Sequence, residues 1–401
     1  MTPLLKFTPL LLLVATGCTS PVKHLTLLDD CPVVAKIVKS GADELLVADY
    51  ALVGRDTIDF PLSALVENIQ IVKLDLSDKA LINGVYARIS LSEHYILIDE
   101  RSYPPRPVKL FNKDGRHLAN IGDVGRGPGE YFALNDQQID EENQRIYLIP
   151  WHTDKILDYD LNGKFLKSIP SPIYSMKAIF RVHPNQTITM IRLPVDASQP
   201  VIWTQDSMGR IISEKSLSYL NMQRSFNDEI YTNKTTSHLD FHITTWGREL
   251  KDTLYHYDAR KNVVLKKFTM NFQQEPSIHI YGEFPGYYFA SIADVVGVLG
   301  GEVGRNYRHL IIDKTTCKGA FVKIKNDLLG GIPVAAPEWL GYKYRDEHYA
   351  ECIDPVTLKE SLEEALRTNH NMSQDVRKRI ENLINSISKD DNDYIIYGKL
   401  R

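Results

Sequence analysis

"YILIDERSYPPRPVKLFNKDGRHLANIG", Tyr95 to Gly122, and "IYLIPWHTDKILDYDLNGKFLKSIP", Ile146 to Pro170, read as one unit used twice. Each opens on a short apolar strand, passes a polar loop and enters a second strand ending in an aromatic residue, Phe111 or Tyr159. Each then turns at Asp114-Gly115 or Asn162-Gly163 and leaves on a third strand. Asp-Gly and Asn-Gly between alternating segments are strong hairpin signals, with positive φ expected at both turn residues. The two glycines lie 48 positions apart, and fainter copies place Gly209, Asn262 and Gly319 at the same turn.

A β-rich unit of about 40 to 50 residues repeated along a chain is the pattern of a β-propeller, one four-stranded blade per unit. The expected fold is therefore all-β: a six-bladed β-propeller with a small C-terminal helical insertion. Blades are expected near 80–122, 131–170, 175–216, 237–270, 287–325 and 330–400. The strand Asn68 to Ser77 would pair within the last blade, so that the ring keeps no free edge. Residues 355–388 change period: Leu358, Leu362 and Leu366, then Ile380, Leu383 and Ile387, have helical spacing. The expected division is a lipoprotein signal peptide over 1–17, an N-terminal anchor and lead-in segment over 18–66, and the propeller over 67–401.

The signal-peptide reading rests on "MTPLLKFTPLLLLVATGCTS", where one lysine precedes an apolar core too short to span a bilayer of about 30 Å. Ala15-Thr16-Gly17-Cys18 resembles the bacterial lipoprotein cleavage box, which makes Cys18 the expected lipidation site and the membrane a partner through its lipid. Cys31, Cys317 and Cys352 are expected as small buried side chains, and their odd number leaves at least one free thiol in a monomer. The net charge of −4, with no long Lys/Arg cluster, argues against nucleic acid as a partner.

"GDVGRGPGEYF", Gly122 to Phe132, invites comparison with phosphate loops, but no Lys-Ser/Thr follows and no helix opens after it. It is expected to carry the chain from one blade to the next. Gly125, Gly127 and Gly129 would permit the reversal, Pro128 would stiffen it, and Glu130 and Tyr131 would pin it to its neighbours. "HLDFH" sets His238, Asp240 and His242 on one face of a strand. Zinc would accept that set. Hydrogen bonding within the blade is the reading preferred, so no metal and no cofactor are expected.

Three stretches, "PLSALVENIQIVKLD", "VKLFNKDGRHLANIGDVGRGPGEY" and "KNDLLGGIPVAAPEW", resemble the six-bladed β-propeller lipoproteins of gut Bacteroidetes, a group related in pattern to NHL-like propellers. The resemblance implies an outer-membrane lipoprotein. Thr19 to Lys23, which lack the acidic residues usual after the cysteine of surface-exported members, favour a periplasmic orientation over the cell surface.

No nucleophile elbow or metalloprotease helix occurs, and no catalytic residue can be named. The preferred function is a binding or scaffolding module for a glycan, peptide or envelope partner. The alternative is a hydrolase or lyase with its active site at the channel mouth. Antiparallel strands put the Asp-Gly and Asn-Gly turns on one face of the disc. The opposite face gathers the candidate ligand-binding residues Arg101, Arg126, Trp151, His152, Trp246, Arg248 and Arg305, of types enriched at recognition hot spots.

Overall fold

The computed structural model describes residues 27–40, 43–83, 87–222, 228–234, 238–244, 253–273, 278–298, 301–334 and 343–401. Cys18, Trp246 and Arg248 lie outside them. Six antiparallel sheets follow one another around a central channel as a six-bladed propeller. Blade one comprises Arg88–Leu91, Tyr95–Asp99, Val108–Asn112 and His117–Ile121, and blade two Leu134–Asp140, Arg145–Pro150, Thr153–Asp160 and Phe165–Ser175. Blade three runs through Ala178–Val182, Ile188–Arg192, Ile202–Gln205 and Ile211–Lys215. Blade four has Glu229–Tyr231, Leu239–Thr244, Leu254–Asp258 and Val263–Asn271, and blade five Ile278–Glu283, Tyr287–Val298, Gly301–Asp313 and Gly319–Asn326. Blade six joins Tyr344–Arg345, His348–Ile353 and Tyr394–Lys399 to Gln70–Lys73, which pairs Lys73 with Tyr394 and closes the ring.

Two inner strands, Glu229–Tyr231 and Ile278–Glu283, lie ahead of the starts expected for blades four and five. The lead-in segment also joins the sheets. Asp43–Asp49 pairs in parallel with the outer strand of blade four, and Thr57–Pro61 with that of blade five. Both cover outer edges with backbone partners. The helical insertion is a hairpin of Pro355–Thr368 (α1) and Gln374–Ser386 (α2). Asp354 caps α1 by accepting from Thr357 N, and Ser373 caps α2 by accepting from Val376 N. Leu358, Leu362 and Ile380 are buried against Leu329 and Ile332 at the end of blade five.

The repeated turns explain both the period and the closure. Positive φ is confined to the glycine: Gly115 has φ 85° and Gly163 φ 79°, while Asp114 and Asn162 are not left-handed. Gly115 N donates to Asn112 O, Asn112 N to Arg116 O, and the register shifts after Leu110, which is a type I turn with a glycine bulge. The residue that opens the turn supplies the reason. Asn112 Oδ1 accepts from Asp114 N and Arg116 N, and Asp160 and Asp206 do the same in blades two and three. A Cβ on Gly115 would stand 2.0 Å from Lys73 O in blade six, and one on Gly163 2.2 Å from Asn120 O in blade one. Each turn thus presses on the fourth strand of the preceding blade, and the contact from blade six to blade one matches the others.

Candidate functional site: the channel mouth

Chain direction places the loops between second and third strands, and the connections between blades, on the face opposite those turns. On that face the channel opens among Arg88, Arg101, Trp151, Lys177, Glu229 and Arg345, contributed by five of the six blades. About 30 Å³ of free space remains between them, room for one or two waters. The Thr232–Lys234 segment links blade four to its neighbours: Asn233 O accepts from Asp346 N of blade six, and Asn233 Nδ2 donates to Glu283 O of blade five.

The floor is a buried ion network. Asp136 on the inner strand of blade two is ion-paired to Arg345 and to Lys234, the latter at 3.0 Å, and accepts from Phe180 N at 3.1 Å. Full enclosure would raise its carboxyl, but Arg345 and then Lys234 outweigh burial and hold it well below the usual carboxylate range. Burial, then the neighbouring Arg345, pulls the Lys234 amine down to about 8. Gln137 Nε2 donates to Arg88 O and Leu97 O, and Gln138 exchanges two hydrogen bonds with the backbone of Val182. These amides stitch inner strands that share no sheet.

Above this floor Lys177 is ion-paired to Glu229, donates to Asp228 O at 2.9 Å, and lies 5.5 Å from the Trp151 ring centre. Burial pushes the Glu229 carboxyl up, against the lowering pull of Lys177, Arg101 and Arg88. Arg101 and His152 both have φ 50°, a left-handed conformation that costs a non-glycine residue energy and clusters at functional sites. The His152 ring hydrogen-bonds the Tyr174 hydroxyl at 2.9 Å on the exposed rim.

The fold therefore brings Arg101 and Trp151 together at the mouth with His152 beside them. Arg126 stands apart: it is exposed on the glycine loop, its guanidinium 5.8 Å from the Phe132 ring. Arg305 lies in the part of the blade-five hairpin that runs beyond the inner strand, paired in register with Asp294. Arg88, Asp136, Lys177, Glu229 and Arg345 were missed. Each sits singly on its own blade, and the available signal was a lone charged residue in or beside an inner strand.

The glycine loop is built as a corner. Glu130 folds its carboxylate back onto the loop and accepts from Gly127 N at 2.7 Å, so a donor that a phosphate would need is already taken. Only Gly129, φ 76°, is left-handed among Gly125, Gly127 and Gly129; a Cβ on Gly125 would stand 2.0 Å from the Glu130 carboxylate and displace it from the loop. Tyr131 OH donates to Ile121 O at 2.6 Å and accepts from Val108 N at 2.8 Å, while Tyr159 OH donates to Gly129 O. Pro128 is exposed at the tip.

Asp240 and His242 lie on the second strand of blade four, and His238 immediately ahead of it. Asp240 accepts from Asn233 N, the His238 ring stacks on His256 at 5.6 Å, and the His242 ring packs on Tyr281 of blade five at 4.6 Å. Among the described residues no group of three or more His, Cys, Asp or Glu side chains could hold a metal ion. Cys31, Cys317 and Cys352 are free thiols; Cys317 is buried and the other two are partly exposed.

Fold and mouth together define a six-bladed propeller with a charged, nearly filled channel opening on one face. The chain belongs to the family described as a domain of unknown function, DUF4934, whose model matches residues 50–399. Comparison with curated proteins finds no match. A Bacteroides fragilis protein described as exported is similar at 15% identity over 89% of this chain and 99% of that one, with a TM-score of 0.55. A DUF4221 member from Bacteroides vulgatus aligns at 9% identity over 84% and 97% of the two chains, with a TM-score of 0.40. A streptogramin B lyase aligns at 13% over 62% and 81%, with a TM-score of 0.37. The first likeness shows the fold, and the other two are too distant to bear on function.

Proposed function

We propose that this protein is an exported lipoprotein that binds the anionic end of a glycan, peptide or envelope partner at its channel mouth. The carrying observation is the gathering of five cations, Arg88, Arg101, Lys177, Lys234 and Arg345, around three carboxylates, Asp136, Glu229 and Asp346. Cations in excess at a mouth with low-dielectric walls favour an anion. A space of about 30 Å³ admits a terminal group and leaves the rest of the ligand on the rim, against Trp151, His152 and the neighbouring loops. Arg126, Trp246, Arg248 and Arg305 belong to this same face in the proposal.

The test is a screen of glycan and peptide arrays with the purified protein. Any ligand found should lose at least tenfold in affinity when Arg101 and Trp151 are changed to Ala together, and should keep it when Lys164, beside the opposite turns, is changed. Equal loss in both, or loss in the control alone, would sink the reading. A second reading, hydrolase or lyase, is favoured by one observation: the Glu229 carboxyl, raised by burial, sits in the mouth beside a buried amine. In that case E229Q abolishes turnover of the captured ligand and leaves its binding intact.

The location proposed is the outer membrane, facing the periplasm, through lipid on Cys18, with the kinship to NHL-like propellers as background. The Bacteroides fragilis neighbour described as exported supports the compartment. Labelling with an alkyne fatty acid should mark the wild type and not C18S. Protease added to intact cells should leave the protein whole.

A further inference from the structure

A second concavity lies on the other face, between blades three and four. It measures about 850 Å³, within the range of ligand clefts. Its walls come from the Arg181–Thr189 hairpin of blade three, the Ile211–Lys215 edge strand of the same blade, and the Asp258–Asn262 turn of blade four. The floor is internally satisfied: the His183 ring bonds Thr189 Oγ1 at 2.8 Å, and that hydroxyl bonds Thr204 Oγ1 at 2.9 Å. The rim is different. Arg260 is exposed, and its guanidinium makes no hydrogen bond or ion pair among the described residues, while Arg181 and the exposed Lys261 add positive charge nearby.

The one carboxylate in the lining is already engaged. Asp258 Oδ1 accepts from Arg260 N and Lys261 N, and Oδ2 faces His238 at 3.9 Å and Lys261 at 3.8 Å. Beside these cations stands an aliphatic lip, Ile212, which is 59% exposed. Tyr257, the one phenol in the lining, is 1% exposed, so it offers no ring face on which a sugar could stack.

We propose that this cleft docks an acidic peptide segment of a protein partner. A carboxylate of the segment meets the guanidinium fork of Arg260, with Arg181 behind it, and a neighbouring aliphatic side chain covers Ile212. Charge and shape argue together: the Arg260 guanidinium, without a partner among the described residues, next to exposed aliphatic surface matches a chain that carries Asp or Glu beside Leu or Ile.

The whole protein is screened on an array of octapeptides in which Asp/Glu, Lys and Leu/Ile positions are permuted. Acidic-aliphatic members should bind above their lysine counterparts. In solution the best of them should lose at least tenfold in affinity with R260E and with I212D, and should be unaffected by R101A/W151A. Both substituted side chains are exposed, so circular dichroism and thermal unfolding should match the wild type. Absence of acidic-aliphatic preference, indifference to R260E, or displacement of the peptide by oligogalacturonate, which would make the ligand an acidic sugar, each overturns the proposal. The mouth variants serve as the internal control, so this site and the mouth can fail separately.

Discussion

At the channel mouth Arg345 is 5% exposed, ion-paired to Asp136 and donating to Gln137 O; at the cleft between blades three and four Arg260 stands in solvent, its guanidinium unengaged among the described residues. The two arginines have the same chemistry and different employment. Around the channel, inner strands from separate sheets meet with no ladder to join them, and buried charges with side-chain amides take the place of one. In the cleft the sheets are already held by turns against edges, and the Arg260 guanidinium on the rim bridges nothing among the described residues. A buried charge costs heavily when its partner is lost, whereas an exposed one contributes little to folding. Stability and recognition should therefore separate between the two regions.

The sharpest break of that contrast is Arg345→Met. It leaves Asp136 enclosed without its strongest cationic partner, with Lys234 and Arg88 still beside it, and the expected loss is about 3–5 kcal/mol in denaturant unfolding. A loss under about 1 kcal/mol, the level of an exposed pair, would show that the channel network does not hold the blades together. Next comes Tyr131→Phe at the glycine loop. It removes a hydroxyl that bonds Ile121 O and Val108 N, both enclosed, for an expected cost of about 1–3 kcal/mol. An unchanged unfolding midpoint would mean that the Tyr131 hydroxyl does not hold the corner.

His309 supplies a buried titratable group with neither arrangement. It stacks on Phe289 at 5.6 Å, its ring nitrogens have no hydrogen-bond partner among the described residues, and burial pulls its pKa down to about 4. An unfolded imidazole takes its proton near pH 6.5. Between about pH 6.5 and 4 the unfolded chain therefore binds the proton that the folded chain refuses, and stability falls as pH falls. H309L should lose about 1–3 kcal/mol less than the wild type over that interval in paired chemical denaturations. Parallel pH profiles would show that the ring titrates normally in the fold. The smallest effect is expected from Arg260→Ala, whose stability should stay within about 0.5 kcal/mol of wild type while peptide binding falls. A larger destabilisation would place Arg260 with the structural arginines.

Much of the architecture was legible because it is local. The turn stretches Asn112 to Arg116, Asp160 to Lys164 and Asp206 to Arg210 repeat an Asx residue, a glycine and a basic residue at one spacing, and a single hairpin suffices to make that geometry. The helical insertion was legible for the same reason: Leu358 and Leu362, then Ile380, mark one face each, and Asp354 and Ser373 mark the starts. Where the unit is imperfect, reading failed. Blade four uses Asn262, φ 50°, in place of the turn glycine and bonds Glu214 O of blade three through its side chain. Its three-residue inner strand has too little pattern to be seen. The strands at Asp43–Asp49 and Thr57–Pro61 were missed because their partners lie more than two hundred residues away.

The sites divide the same way. Arg101, Trp151 and His152 could be placed on one face from the sequence because a blade's strand order dictates which loops share a face. Their meeting with Lys177, Glu229 and Arg345 was decided by tertiary structure, since each comes from a different blade and ring closure alone makes them neighbours. The sequence by itself determined the repeat, its turns and the faces of the disc, because these follow from periodicity and from backbone geometry over a few residues. Only the closed ring decided which charges are buried against one another and which are left to solvent, because burial and pairing are properties of the assembled blades.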